Sequence, residues 1–330
     1  MQTAAISQKD YQNGDKLNVY QIVTDRIIAS LEKGVIPWEK PWKSPKYAGG
    51  IFPRNFRTGK PYRGVNVMLL WGTDYTSPFW LTFKQAQELG GSVRKGQHSE
   101  RIVFYKQLPK REYATSTEEN ENASKRPACI LTYYNVFNVE QCDGLKVPEF
   151  EKPTRNQVDT DAECEAIVTN WNGRPAIRTE IETEARAYYR PSTDSVHLPA
   201  CFRFVDTAHY YATLFHELVH STGHESRLAR TFGVRFGDEL YSKEELVAET
   251  GAAFLCAIAG IATEHTNRNT TAYLQHWISA LRQDNRLVVQ AAASAQRAVD
   301  HITGQSFIEE EEGDAGEDGT PLHASIPLAA

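Results

Sequence analysis

A histidine pair in the second half of the chain has the spacing of a metal-binding helix. His216 and His220 are four residues apart, and Glu217 follows the first of them, which gives the pattern HExxH. Residues four apart lie one above the other on one helix face, so both imidazoles can reach one metal ion while the glutamate lies close to it. Apolar residues recur at helical spacing through residues 208–219, which indicates a helix packed in a core. The pattern therefore predicts one Zn²⁺ per chain, bound by His216 and His220.

A catalytic zinc usually has three protein ligands and a water, so a third ligand is required. A histidine ten positions after the first would complete one known pattern, but Ser226 occupies that position. His224 would share the helix face only if the helix continued, whereas Gly223 is expected to end it. The next predicted helix carries Glu245 and Glu249 on one face, followed by small residues that permit close helix packing. Of these two we favour Glu249 as the third ligand, with Glu245 as the alternative.

Three such ligands predict a site of the zinc-peptidase type. A bound zinc lowers the pKa of its water toward roughly 7, and Glu217 is the predicted general base in the attack of this water on a carbonyl. The candidate enzyme is therefore a gluzincin-like zinc metallopeptidase. The strand predicted over residues 194–198 is a candidate for the sheet edge on which a peptide substrate aligns, and an ordinary core strand is the alternative. Tyr241 is a candidate for stabilising the oxyanion, and simple packing is the alternative.

The first part of the chain combines positive charge with aromatic residues. Residues 1–115 carry a net charge of +9 and the remainder carries −15, although the whole chain has only −6. Exposed rings among cations are typical of single-stranded DNA (ssDNA) binding, since stacking contributes about 1–3 kcal/mol per base. The alternative for each ring is a place in the domain core, which is the commoner location for any single aromatic residue. The candidate DNA-binding residues are Trp38, Lys40, Trp42, Lys43, Arg54, Arg57, Lys60, Tyr62, Arg63, Trp80 and Lys95.

The order of the predicted elements indicates an α+β protein with two domains. Three long helices are predicted in the second half, from residue 206 or 207 to Gly223, from Ser242 to about Ile261 and over residues 271–302. Glycine, proline and a change in the sign of the charge mark a boundary between residues 143 and 160. We expect a mixed α/β ssDNA-binding module over residues 1–150, a metal domain over 151–303 and a disordered acidic tail over 304–330. The apolar stretches are shorter than the roughly 20 residues of a membrane span, and the start does not resemble a secretory signal. We therefore expect a cytoplasmic protein that does not contact membranes.

The quoted motifs and their surroundings resemble one known family. Residues 188–199 (YYRPSTDSVHLP), 210–228 (YYATLFHELVHSTGHESRL) and 244–249 (EELVAE) are similar to the zincin-like metallopeptidase domain of ArdC-type antirestriction proteins, relatives of which occur in plasmid TraC-type primases. The first half resembles the ssDNA-binding domain of the same family, notably in YRGVN at 62–66 and VRKG at 93–96. The resemblance implies a third zinc ligand at Glu249. It also implies a conjugative-plasmid protein that binds ssDNA and helps incoming DNA to evade host restriction.

Two functions follow as hypotheses. In the first, the basic half binds ssDNA and the zinc site cleaves a nearby protein, either a host restriction protein or another DNA-bound protein. In the second, the chain shields incoming strands without catalysis, and its zinc is structural. Replacing Glu217 distinguishes them, because this change removes the base and keeps the metal ligands.

Overall fold

The structure is a computed structural model that describes seven stretches of the chain. These are residues 18–38, 52–107, 129–147, 160–180, 186–231, 239–261 and 271–305. The predicted domain boundary at 150/151 lies outside them, as does all of the predicted acidic tail beyond Gln305.

The described part of the N-terminal unit contains one long helix, two short helices, a four-stranded sheet and a two-stranded sheet. Helix α1 covers Val19–Glu32. Asn18 caps its N-terminus, since the Asn18 side chain accepts a hydrogen bond from the backbone N–H of Gln21. The further elements are β1 Arg54–Asn55, α2 Val65–Trp71, β2 Phe79–Leu81, α3 Phe83–Glu88, β3 Ser92–Val93, β4 Glu100–Gln107, β5 Cys129–Asn138 and β6 Cys142–Asp143. Four strands form a sheet in the order β1-β2-β5-β4, in which β1 and β2 are parallel and the other neighbours antiparallel. β3 and β6 form a separate antiparallel pair.

The described part of the C-terminal unit contains a three-stranded sheet and five α-helices. Its elements are α4 Thr160–Thr169, β7 Ala176–Glu180, β8 Tyr188–Arg190, β9 Ser195–Pro199, α5 Thr207–Ser221, α6 Glu239–Ala259, α7 Thr271–Gln283 and α8 Leu287–Thr303. The sheet order is β7-β9-β8, with β7 parallel and β8 antiparallel to β9. These two mixed units confirm the predicted α+β class with two domains.

Two predicted helix boundaries differ from those in the structure. The single helix predicted over residues 271–302 is divided into α7 and α8, because Asp284 accepts a hydrogen bond from the backbone N–H of Arg286 and so turns the chain. Helix α6 begins at Glu239 rather than at the predicted cap Ser242, which is buried inside the helix. No helix in the described stretches combines the length and hydropathy that a membrane crossing requires.

One hydrophobic core joins the two units. Buried residues of α1 and α2 belong to the same cluster as those of α5 through α8. Polar contacts cross the same boundary, since Arg63 forms an ion pair with Asp300 and the backbone N–H of Gly64 donates to Gln296 Oε1 at 3.1 Å. The two units therefore stabilise each other by direct packing.

Helices α5 and α6 approach each other closely at Gly251. A Cβ atom at this glycine would lie 2.8 Å from Cγ2 of Val219, closer than real Cβ contacts allow. Any larger residue would push the two helices apart. Because α5 carries the histidine pair and α6 carries the candidate carboxylates, this contact determines which side chains meet.

Candidate metal centre

Helix α5 begins where the sequence predicts and presents the histidine pair near its C-terminal end. The carboxylate of Asp206 caps the helix by accepting a hydrogen bond from the backbone N–H of His209 at 2.8 Å. The helix ends at Ser221, and the turns that follow direct His224 to Ser226, with its Nδ1 2.8 Å from the serine Oγ. His224 therefore does not join the histidine pair.

The two histidines and Glu245 bring three donor atoms together. Nε2 of His216 lies 3.1 Å from Nε2 of His220. The Glu245 carboxylate lies 3.6 Å from His216 Nε2 and 3.5 Å from His220 Nε2. A tetrahedral site with bonds of about 2.0–2.1 Å separates neighbouring donors by about 3.4 Å. The donor set and its spacing fit one divalent metal, and within the described stretches this is the one such cluster of three.

The structure does not bring Glu249, the favoured third ligand, to the histidines. The Glu249 carboxylate instead accepts hydrogen bonds from Trp38 Nε1 at 3.3 Å and from the hydroxyl of Tyr273. Glu245 and Glu249 are one turn apart on α6, so the position at which α6 crosses α5 decides between them. This crossing places Glu245, the alternative, opposite the ring nitrogens, and Glu245 therefore replaces Glu249 as the third ligand that we propose.

Negative charge surrounds the histidine pair. Glu217 is 8% exposed, and its charge acts on His220 together with those of Glu244 and Glu245. Burial lowers the pKa of His220, but the hydrogen bond with Glu244 and the three carboxylates outweigh it, so that this pKa is raised. A partly buried site with this charge balance favours a cation.

Two residues behind His220 are not among those predicted from the sequence. Glu244 Oε1 lies 3.3 Å from His220 Nδ1, and Arg230 donates to the same carboxylate. Their signal in the sequence is slight, because Glu244 is one of two adjacent acids and Arg230 lies in the loop between the helices.

Comparisons with known proteins match the N-terminal and C-terminal units of the chain to two different families of domains. Residues 17–137 match the N-terminal domain of the anti-restriction factor ArdC, and residues 165–294 match the zincin-like metallopeptidases. The antirestriction protein ArdC from plasmid R388, in its Mn(II)-bound form, is 39% identical with a TM-score of 0.65, and the match covers 88% of this chain and 98% of that chain. This chain belongs to the ArdC antirestriction family. The metal-free form of the R388 protein is 38% identical, again with a TM-score of 0.65.

Other relatives of this ArdC-family chain include longer proteins. Two DNA primases TraC from Escherichia coli are 36% and 32% identical over 86% and 89% of this chain. The chain spans only 27% and 20% of their lengths. The uncharacterized protein y4eC from Sinorhizobium fredii is 34% identical over 87% of this chain and 92% of its own length.

Three aromatic DNA-binding candidates of the ArdC-type N-terminal domain are core residues. Trp38, Tyr62 and Trp80 are 1%, 8% and 2% exposed. Trp38 packs edge-on against Trp277 of α7, while Tyr62 and Trp80 belong to the cluster beneath the N-terminal sheet. Rings buried in this way have no free face for a base, and their position is the core location that was the alternative for each ring. Trp42, Lys40 and Lys43 lie outside the described residues.

The described cationic candidates fall into two groups. Arg57, Lys60 and Lys95 are exposed, and Arg57 contacts Glu88 at 2.9 Å. Arg54 and Arg63 are half-buried: burial lowers the pKa of Arg54, and Arg63 holds the Asp300 carboxylate of α8. The first group lies at the surface, whereas Arg63 links the two units. Phe83, which is not among the predicted DNA-binding residues, also has an exposed ring, at 51%.

The candidate substrate edge also changes position. Strand β9, predicted as the edge over residues 194–198, pairs with β7 on one side and β8 on the other. It is therefore the central strand, which was the alternative considered for it. Strand β8 is an edge of this sheet and lies against α5. The side chain of Tyr241 is outside the described residues.

Proposed function

We propose that this chain is a metal-dependent peptidase that acts while bound to ssDNA and protects incoming plasmid DNA from host restriction. The observation that carries the proposal is the meeting of His216, His220 and Glu245 beside the buried Glu217. Two imidazoles, a carboxylate and a neighbouring unligated glutamate are the parts of a hydrolytic zinc site. We assign the metal as zinc, one per chain, on this donor set. The R388 relative has a structure with bound Mn(II), which supports binding of a divalent cation by this chain.

Each residue has a distinct role in this proposal. His216, His220 and Glu245 hold the metal, which when bound lowers the pKa of a water toward about 7 and polarises the substrate carbonyl. The Glu217 carboxylate accepts the proton of the attacking water and delivers it to the leaving amine. The apolar core around α5 holds both histidines on one face during these steps.

Strand β8 is the proposed docking edge for the substrate peptide. An extended peptide adds to an exposed strand edge through backbone hydrogen bonds, which require no particular side chains. The antiparallel pairing of β8 with β9 leaves its other edge without a strand partner in the described part of the sheet. Residues 188–190 are therefore the proposed alignment segment.

The DNA-binding part of the proposal depends on exposed cations of the N-terminal unit. Arg57, Lys60 and Lys95 are exposed, and Phe83 offers a ring to an unpaired base. The net charge of +9 in residues 1–115 supports binding of a polyanion. Binding by such contacts weakens with salt through counterion release, by about 0.7 logarithmic units of affinity per logarithmic unit of salt for each phosphate contact.

The proposed substrate is a host restriction protein or another protein bound to the same DNA. Attachment to ssDNA raises the local concentration of such a partner, so a weak peptide site suffices. We place this activity in the cytoplasm of a cell that receives conjugative plasmid DNA.

Replacing Glu217 by glutamine tests the proposal. The variant retains all three metal ligands and loses the base, so we expect normal metal content and ssDNA affinity with at least about a hundredfold loss of peptide cleavage. Protection of transferred DNA in a conjugation assay should fall with cleavage. Glu225→Gln is the matched control, because Glu225 is an exposed glutamate beyond the end of the same helix.

Strand shielding without catalysis is the second candidate function. It is favoured by the core that α5 shares with the N-terminal unit, since a metal there also stabilises the DNA-binding part. Full protection by Glu217→Gln together with loss of protection after metal removal would select this function and reject the peptidase.

A further inference from the structure

The buried carboxylate of Glu244 connects a candidate metal ligand to an arginine. Its Oε1 lies 3.3 Å from His220 Nδ1 and accepts a hydrogen bond from Arg230 Nη2 at 2.7 Å, while Oε2 accepts from Arg230 Nε at 3.0 Å. Glu244 is buried between these two partners. The carboxylate is therefore fully engaged by two donors.

Arg230 also binds the end of the metal helix. Its Nη1 donates to the hydroxyl of Thr222 at 2.6 Å, and its Nη2 donates to the backbone carbonyl of Val219 at 2.8 Å. The backbone N–H of Arg230 donates to the carbonyl of Gly223 at 3.0 Å. Through its side chain and its backbone N–H, Arg230 thus joins the C-terminal end of α5, the loop behind it and the first part of α6.

The neighbouring acids Glu244 and Glu245 face the histidine pair in different ways. Glu245 approaches the Nε2 atoms, where a metal is held, whereas Glu244 approaches Nδ1 on the far side of the His220 ring. In the described residues, His216 Nδ1 is buried and has no such partner. Only His220 of the two rings is oriented from behind by a carboxylate.

We propose that Arg230 and Glu244 are positioning residues for the metal, acting through His220. Glu244 accepts the Nδ1–H of His220, which leaves the Nε2 lone pair directed at the metal, and Arg230 fixes Glu244 in place. The inference rests on the metal site of the proposed function and is independent of its peptidase activity. A carboxylate behind a ligand histidine typically changes metal affinity by 10- to 100-fold.

The test measures metal affinity in the full-length chain. We expect Arg230→Met and Glu244→Ala each to raise the zinc dissociation constant by about 10- to 100-fold in competition with a chelator. Arg230→Lys should recover part of the affinity, since lysine retains a charge for Glu244 but not the two-pronged contact. At saturating Co²⁺, the visible spectrum of Arg230→Met should shift because the His220 ring is less constrained.

Arg227→Met provides the matched control. Arg227 lies in the same loop and binds Asp194 through two nitrogens, but it has no contact with Glu244 among the hydrogen bonds of its guanidinium. Unfolding of the metal-free proteins by denaturant shows whether the two arginine variants are comparably destabilised. Equal zinc affinity in Arg230→Met and the unchanged chain would overturn the positioning role while leaving the metal site intact. Equal losses in Arg227→Met and Arg230→Met would also overturn it, and absence of zinc binding by the unchanged chain would reject the metal site itself.

Discussion

Replacement of Trp38 separates a core role for this ring from a role in stacking on DNA. The indole is buried against Trp277, with ring centroids 6.0 Å apart, and its Nε1 donates to Glu249 at 3.3 Å. Trp38→Ala removes this packing and the donor together, and we expect a loss of about 3–5 kcal/mol in the free energy of unfolding. Trp38→Phe retains most of the ring but leaves Glu249 with one donor fewer, for about 1–3 kcal/mol. Because Tyr273 still donates to that carboxylate, the lower end of this range is expected.

Denaturant unfolding and ssDNA titration together decide the question. Both Trp38 variants should unfold at lower denaturant concentration, and Trp38→Phe should bind ssDNA within about twofold of the unchanged chain while it is folded. Lys60→Ala should behave in the opposite way, with unchanged stability and a salt slope smaller by about 0.7. If Trp38→Ala unfolded normally and lost about 1–3 kcal/mol of ssDNA affinity, the ring would be a stacking platform and the burial argument would be refuted.

Three further predictions concern the metal ligand, the contact between the units and pH. Glu245→Gln should weaken metal binding by at least about tenfold in competition with a chelator. Glu249→Gln should instead lower the stability of the fold and leave metal affinity nearly unchanged. The reverse result would restore Glu249 as the ligand. Arg63→Ala should cost about 1 kcal/mol or less in denaturant unfolding, because its ion pair with Asp300 is partly exposed, and an altered salt slope of ssDNA binding would contradict this role. Burial lowers the pKa of His301 below 6.5, so the unfolded chain binds more protons and stability should fall as the pH decreases below about 6.5. His301→Gln should flatten this dependence in urea titrations at several pH values.

The histidine pair was predictable because its geometry is local. A spacing of four residues on a helix fixes the relative position of His216 and His220 without any knowledge of the rest of the fold. The third ligand was not predictable in the same way, because Glu245 and Glu249 share one face of α6. Their distances from the histidines depend on where α6 crosses α5. The absence of a side chain at Gly251 permits this crossing, but no local sequence pattern specifies it.

The aromatic residues of the N-terminal unit illustrate a second limit. Trp38, Tyr62 and Trp80 lie among cations in the sequence, as the rings of an ssDNA-binding surface do. Burial depends on which distant elements cover a ring, and for Trp38 these are α6 and α7 of the other unit. The sequence pattern is consistent with a surface or a core location for each ring, and the core is the commoner location for any single aromatic residue. It did not reveal that part of this core is supplied from the C-terminal half.

The shared core also determines which variants are informative about catalysis. Glu249 receives the indole N–H of Trp38 and lies one helical turn from Glu245 on α6, so the N-terminal unit packs within one turn of the candidate metal site. Loss of a metal ligand removes binding free energy that stabilises the folded chain, and this loss extends to the DNA-binding unit through the common core. Weaker DNA protection after replacement of His216 or His220 therefore follows from either function. Glu217 is different because it binds no metal in the proposed site, and its replacement changes proton transfer while leaving the ligands, and hence the fold, in place.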